Sequence, residues 1–312
     1  AIGQARARTE AELITDFLEN DVLGSVRYAR LGEATVSHVL DAASKKLEGK
    51  FKDKPLIEAR ICEKLGWTYW CLDESTKAEE HFLRAIDIYQ QCHGGEHPDT
   101  LRATADIGWV YEDQGRYHDM DRVFTKNLQI RQRLFDVEQQ VHVMNGLAVT
   151  YYLLGRYKEA ESLFDKILQI DRSEMGEMNV RRLPFRKCNL AAVYWRQGRY
   201  EEAERLFVKT LNTAKWPGEF GEHWELQYAY HLGNVYLEQR RYGKAETLFV
   251  KTLKTQRLAR GDEHLHTLHT MYGLARLFTA QDDRHEEAGS LFTEMLEIGT
   301  RRLGEDHPVT LG

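Results

Sequence analysis

Four tetrads recur along the chain: Gln114-Gly115-Arg116-Tyr117, Leu154-Gly155-Arg156-Tyr157, Gln197-Gly198-Arg199-Tyr200 and Gln239-Arg240-Arg241-Tyr242. Their tyrosines are spaced 40, 43 and 42 residues apart. A period of that length restricts the chain to architectures in which one supersecondary unit is stacked on copies of itself. Two weaker copies flank the set, Asp73 to Lys77 before Ala78-Glu79 and Asp282 to His285 before Glu286-Glu287-Ala288. The spacing predicts six units, at 56–97, 98–137, 138–180, 181–223, 224–265 and 266–308, with a leader over 1–55 and a short C-terminal stub.

Each unit has the same internal grammar. A first segment carries a large apolar residue, a small one directly after it, and an aromatic four positions on, as in Leu65/Gly66/Tyr69, Ile107/Gly108/Tyr111, Leu147/Ala148/Tyr151, Leu190/Ala191/Tyr194, Leu232/Gly233/Tyr236 and Leu274/Ala275/Phe278. Positions i and i+4 share one helix face, so this stripe faces inward, and the small residue lets a partner helix approach. The glycine of the tetrad suits a left-handed turn at a helix end. A second amphipathic segment follows, clearest in Ala203/Leu206/Phe207/Leu211 and Ala245/Leu248/Phe249/Leu253, with acidic residues in its first turn.

The connections repeat too. Gly95-Glu96-His97-Pro98-Asp99-Thr100 reappears in Gly304-Glu305-Asp306-His307-Pro308-Val309-Thr310, and partly around His223 and His264. Helix, tight turn, helix, loop is the grammar of a tetratricopeptide (TPR) unit, so the expected fold is an all-α, TPR-type α-solenoid of antiparallel helix pairs. Residues 56–312 resemble the kinesin-light-chain class of TPR. Upstream, the stretches Asp16-Phe17-Leu18-Glu19-Asn20-Asp21-Val22-Leu23-Gly24, Ala34-Thr35-Val36-Ser37-His38-Val39-Leu40 and Leu47-Glu48-Gly49-Lys50-Phe51 resemble the leader before the TPR region of bacterial eukaryotic-like Ser/Thr protein kinases. That resemblance implies an order of kinase domain, membrane helix, leader and repeats, and a chain excised from a longer protein. The kinase loops GxGxxG, His-Arg-Asp and Asp-Phe-Gly are missing here.

Composition narrows the function. Hydrophobic residues make up 42%, enough for a continuous core, and the net charge of −6 argues against a nucleic-acid partner. Cys62, Cys71, Cys92 and Cys188 lack zinc or disulfide spacing and read as small buried hydrophobes. No apolar run approaches the ~18–20 residues of a membrane span, which indicates a soluble, cytoplasmic segment or the soluble portion of a membrane-anchored protein. His264, His266 and His269 suggest a metal site. However, His97, His223, His264 and His307 sit at one repeated loop position, which reads as loop structure. No nucleophile elbow, phosphate loop or HExxH occurs, so neither catalysis nor a cofactor or metal is expected.

In a TPR array the first helix of each pair lines the concave surface. Its outward residues fall five and two before, and two, five and six after, the core Leu or Ile. These offsets select Arg60, Trp67 and Trp70; Arg102 and Trp109; His142, Asn145 and Tyr152; Phe185, Trp195 and Arg196; Tyr230 and Asn234; and Tyr272 and Arg276. Four of the six tryptophans land there although the packing positions already have their own residues. Aromatics mixed with Arg, Asn and His have the composition of a binding hot spot. Burial of those tryptophans against an adjacent helix or the leader is the competing expectation. Asn145 and Asn234 suit a peptide backbone, whereas Asn189 faces the neighbouring helix. Arg60, Arg102, Arg196 and Arg276 lack the Lys/Asn pairing of a chaperone clamp. Ala11, Leu13, Ile14, Phe17, Leu18, Val22 and Leu23 form an apolar stripe that reads as an N-terminal cap, with a dimer helix or membrane link as the alternative. The leading expectation is a non-catalytic scaffold for a protein or peptide, with self-association into a homo-oligomer as a further expectation. The alternative is a sensor region that sets a kinase's oligomeric state.

Overall fold

The computed structural model describes residues 36–47, 49–173, 177–213 and 221–303. The stripe at 11–23 and the copy of the loop at His307 lie outside them. The described residues form thirteen α-helices and no strand. They are α1 (Val36–Leu47), α2 (Pro55–Cys71), α3 (Ser75–His93), α4 (Pro98–Asp113), α5 (Tyr117–Leu134), α6 (Val137–Leu153), α7 (Tyr157–Ser173), α8 (Glu177–Arg196), α9 (Tyr200–Thr213), α10 (Gly221–Glu238), α11 (Tyr242–Arg260), α12 (Leu265–Thr279) and α13 (His285–Leu303). The chain divides into two compact units, 1–134 and 135–312.

A phenylalanine seated on a small residue fixes the packing within each pair. Phe82, Phe124, Phe164, Phe207 and Phe249, one in each of the second helices α3, α5, α7, α9 and α11, are all fully buried. A Cβ added at Gly66 would meet Phe82 at 3.0 Å, one at Gly108 would meet Phe124 at 2.6 Å, and one at Gly233 would meet Phe249 at 2.6 Å. The ring occupies the space a side chain would need, which is why the position after the core Leu or Ile is Gly or Ala. The turn between paired helices needs φ > 0, which Gly115, Gly155 and Gly198 supply at 69°, 75° and 77°. Arg240 holds the same turn at φ 58°, a conformation costing an L residue about 1–2 kcal/mol.

At four of these turns the arginine joins neighbouring pairs. Arg116 reaches back to Glu79 at 2.7 Å, Arg199 to Glu161 at 2.7 Å, Arg241 to Glu204 at 2.5 Å and Arg284 to Glu246 at 2.7 Å. Its guanidinium also stacks over the first-helix aromatic, 4.0 Å from the Tyr194 centroid for Arg199 and 3.7 Å from the Phe278 centroid for Arg284. Gln114 and Gln197 donate to the second oxygen of Glu79 and Glu161. The pairs are about a third exposed, so the ionic part is small, and the stack adds roughly 0.5–1 kcal/mol. Arg199→Gln is expected to cost about 1–1.5 kcal/mol in urea unfolding. A double-mutant cycle with Glu161→Gln should show coupling of at least about 0.5 kcal/mol, and additivity would refute the link.

The repeated loop is also built from side chains. His97 caps α4, its Nδ1 accepting from Asp99 N at 3.2 Å, and His264 caps α12 by accepting from His266 N at 3.2 Å. Thr100 and Thr267 donate to the carbonyls of Gly94 and Gly261. Ahead of the first pair, α1 buries Leu40, Ala43 and Leu47. Asp41 of α1 accepts from Tyr69 at 2.9 Å and pairs with Lys77 at 2.8 Å, and the Lys77 contact holds its carboxyl below the usual range.

Candidate functional site

The first helices of unit 2 lie side by side, α6 next to α8, α8 next to α10 and α10 next to α12. Their outward positions therefore form a continuous surface within that unit. Trp195 is half-buried, 5.7 Å from the His231 ring. Tyr230 packs 5.3 Å from His231 and 6.0 Å from Phe249, and Phe185 stands edge-on to Trp224 at 5.6 Å. Tyr152 lies 6.2 Å from Tyr157, and Tyr272 lies 6.1 Å from Phe292. His142 is half-buried on α6. The arginines of this face are already engaged. Arg196 donates to the Tyr157 hydroxyl at 3.1 Å and lies over Trp195, while Arg276 pairs with Glu238 at 2.9 Å.

On the first helices of this unit three polar atoms are buried without a hydrogen-bond partner among the described residues: Asn145 Oδ1 on α6, and Gln227 Oε1 and His231 Nδ1 on α10. Burial, with His269 and Arg196 nearby, pushes the His231 imidazole down to about 3, so it is neutral at physiological pH. A buried unmatched acceptor costs about 1–3 kcal/mol, a cost a ligand donor would remove.

In unit 1 the face is built by α2 and α4. Trp67 Nε1 donates to Asp106 at 3.3 Å, and Trp67 meets Trp70 edge-on at 5.1 Å. Arg102 grips Glu63 through two bonds of 2.8 and 3.0 Å, and Tyr89 donates to the same carboxylate. Trp109 is half-buried and edge-on to Phe124, and Arg60 is exposed. Burial, reinforced by the Glu63 charge, raises Asp106 to about 7.

All four offset tryptophans are half-buried. Asn234 departs from the expectation of an open groove amide. It is fully buried, Nδ2 donating to the Tyr230 carbonyl at 3.0 Å and Oδ1 accepting from Arg276 at 3.2 Å. Its capacity is consumed inside the fold. Asn189 accepts from Tyr228 of the neighbouring first helix at 2.8 Å. Asp106 and His231 occupy the same place as Asn189, directly before the core Leu or Ile, and both contact a tryptophan of the adjacent first helix. The five offsets omit that position, and its recurrent polarity was the available signal.

Cys62 and Cys188 are buried, but Cys71 and Cys92, in the last turns of α2 and α3, are exposed. Among the described residues one group approaches metal-ligand spacing, His93, His97 and Asp99, with ligand atoms within 4.8 Å of one another. The two rings stack at 4.1 Å, which sends their lone pairs along near-parallel planes, and His97 Nδ1 already caps α4. No described helix is long and apolar enough to cross a membrane.

Family models described as tetratricopeptide repeat match residues 59–119, 112–173 and 224–284, and a further one matches 187–215. Together they cover more than half of the sequence, and the chain belongs to the tetratricopeptide repeat family. It is similar to the mitochondrial tetratricopeptide repeat protein 19 of Mus musculus, 23% identical over 152 residues. That match covers 44% of this chain and 41% of the mouse protein, so the chain spans about two fifths of that relative's length. Among solved structures it is similar to the apo form of RapI, at 15% identity, 93% of this chain, 99% of that one and TM-score 0.65. The quorum sensor NprR in complex with its cognate peptide NprX gives 17% identity, 96% of this chain, 80% of that one and TM-score 0.64. At these identities the likeness is one of fold.

Proposed function

We propose that the chain is a non-catalytic scaffold that holds a peptide or an extended protein segment against its first-helix faces. The observation that carries this reading is the set of buried, unmatched polar atoms at Asn145, Gln227 and His231 beside half-open aromatics. A peptide backbone supplies N–H donors for such acceptors, and its side chains cover the exposed edges of Trp195, Tyr152 and Tyr272. The solved NprR–NprX complex has the same fold and a peptide bound. Selecting binders from a random 12-mer library and measuring their Kd by fluorescence polarisation tests the reading. Asn145→Ala and Gln227→Ala should each weaken binding about three- to tenfold, and Trp195→Ala should weaken it more. Unchanged affinity in all three variants would remove this face from the account.

A second reading, that the repeats regulate a membrane-anchored Ser/Thr kinase, is supported by the leader. Its segment from Val36 forms α1 and clamps the first pair through Asp41. A kinase reading frame directly upstream in the gene is the expected observation, and a stop codon there would oppose it.

A further inference from the structure

Where α10 meets α12, the residue six after the core Leu of one helix faces the residue two after the core Leu of the next. There Glu238 pairs with Arg276 at 2.9 Å. At the α6–α8 junction the same two positions are Leu153 and Ala192, which carry no charge. At the α8–α10 junction they are Arg196 and Asn234. That junction holds the cation of such a pair without its carboxylate. The asparagine cannot stand in, because its Oδ1 already accepts from Arg276 at 3.2 Å. Arg196 has no acidic partner among the described residues, whereas Arg186 and Arg199, on either side of it in the chain, pair with Asp171 and Glu161.

The guanidinium is nonetheless fixed in place. Its Nε donates to the Tyr157 hydroxyl at 3.1 Å, and its centre lies 5.8 Å from the Tyr157 ring and 5.4 Å from the Trp195 ring. The residue is exposed, and neither Nη group has an acceptor among the described residues. The Tyr157 hydroxyl, which accepts from Nε, has no acceptor there for its own proton. We propose that the outer end of the α8–α10 junction is a subsite for the side-chain carboxylate of an aspartate or glutamate in the bound peptide, held by the Arg196 Nη groups with the Tyr157 O–H as a further donor. The subsite rests on the peptide-binding reading and adds to it a charge preference. A guanidinium fork matches a carboxylate through two parallel N–H···O bonds. Exposed ion pairs are ordinarily weak because two long side chains must be immobilised. Here the arginine is already held by its phenol and indole neighbours, so less freedom is lost when the carboxylate arrives.

The test uses N-acetyl-glutamate amide as the probe and N-acetyl-glutamine amide as its uncharged match, each titrated into the full chain. The readout is the Trp195 indole N–H resonance in a ¹H–¹⁵N spectrum, assigned through Trp195→Phe. The glutamate probe should shift it with a Kd at least about fivefold lower than the glutamine probe, and Arg196→Gln should abolish the difference. Equal response to both probes in the unaltered chain overturns the subsite and requires no variant to fold. N-acetyl-glycine, whose only carboxylate is terminal, separates the two sources of that group. Weaker binding than the glutamate probe is the expected result, and tighter binding would assign the site to a chain terminus and overturn the side-chain proposal. Library peptides distinguish the subsite from the reading beneath it. If they bind without Asp or Glu enrichment and without sensitivity to Arg196→Gln, the subsite fails while peptide binding stands. If no peptide binds but the glutamate probe still discriminates, the peptide reading fails and the anion site remains.

Discussion

Phe249→Ala is expected to lower the stability of unit 2 by about 3–5 kcal/mol, the range for emptying a fully buried aromatic site. The ring is completely enclosed, and it serves two repeats at once. A Cβ at Gly233 would meet it at 2.6 Å and one at Gly273 at 2.9 Å, so it fills the space over a glycine of its own pair and over one of the next. Glycine surroundings cannot close over the cavity, because they have no side chains to move inward. In a linear array a loss at one interface stays near that interface. Hydrogen exchange should therefore accelerate in α10, α11 and α12 and change little in α6 and α7. The half-buried neighbour Leu248 provides the internal comparison, with Leu248→Ala costing no more than about 2 kcal/mol. Equal losses for the two variants, or acceleration spread evenly over unit 2, would show that the ring is not a lock between repeats.

These packing features are legible in the sequence because they are local. The small residue after the core Leu or Ile, the apolar periodicity and the turn glycine each follow from contacts within one helix pair. The tetrad arginine was visible as a recurrence, but its partner lies 37 or 38 residues upstream, and only the stacking of pairs brings the two together. The same limit explains the site. Offsets from a core residue state which way a side chain leaves its own helix, and they placed Trp67, Trp70, Trp109 and Trp195 on half-open faces. They do not state what the adjacent first helix does. Asn234 and Trp109 share an offset, yet Arg276 from the next repeat covers the asparagine. Asp106 and His231 leave their helices sideways and meet the neighbour's tryptophan, an event that depends on the rotation between successive pairs.

Asp106 turns that sideways contact into a pH-dependent term of stability. An unfolded aspartate loses its proton near 3.8, whereas the folded one, buried and close to Glu63, holds it to about 7. Between those values the folded chain carries the extra proton, so raising the pH draws the equilibrium toward the unfolded chain. The stability linked to this proton is fully present below about pH 4 and is lost as the pH rises through 7. A shift of about three units corresponds to roughly 4 kcal/mol. Asp106→Asn keeps an acceptor for the Trp67 indole and cannot ionise. It should match the unaltered chain below about pH 4, and its stability advantage should grow by on the order of 3 kcal/mol between pH 5 and pH 8.5. Glu112 and Asp113 titrate in the same window, and His81, depressed to about 4 by its burial, acts at the acid end. The difference between variant and parent isolates Asp106 from those groups. Urea unfolding at pH 5, 7 and 8.5 supplies it, and an offset independent of pH would mean that Asp106 is ionised throughout, held by Arg102 and Lys64 more strongly than burial opposes them.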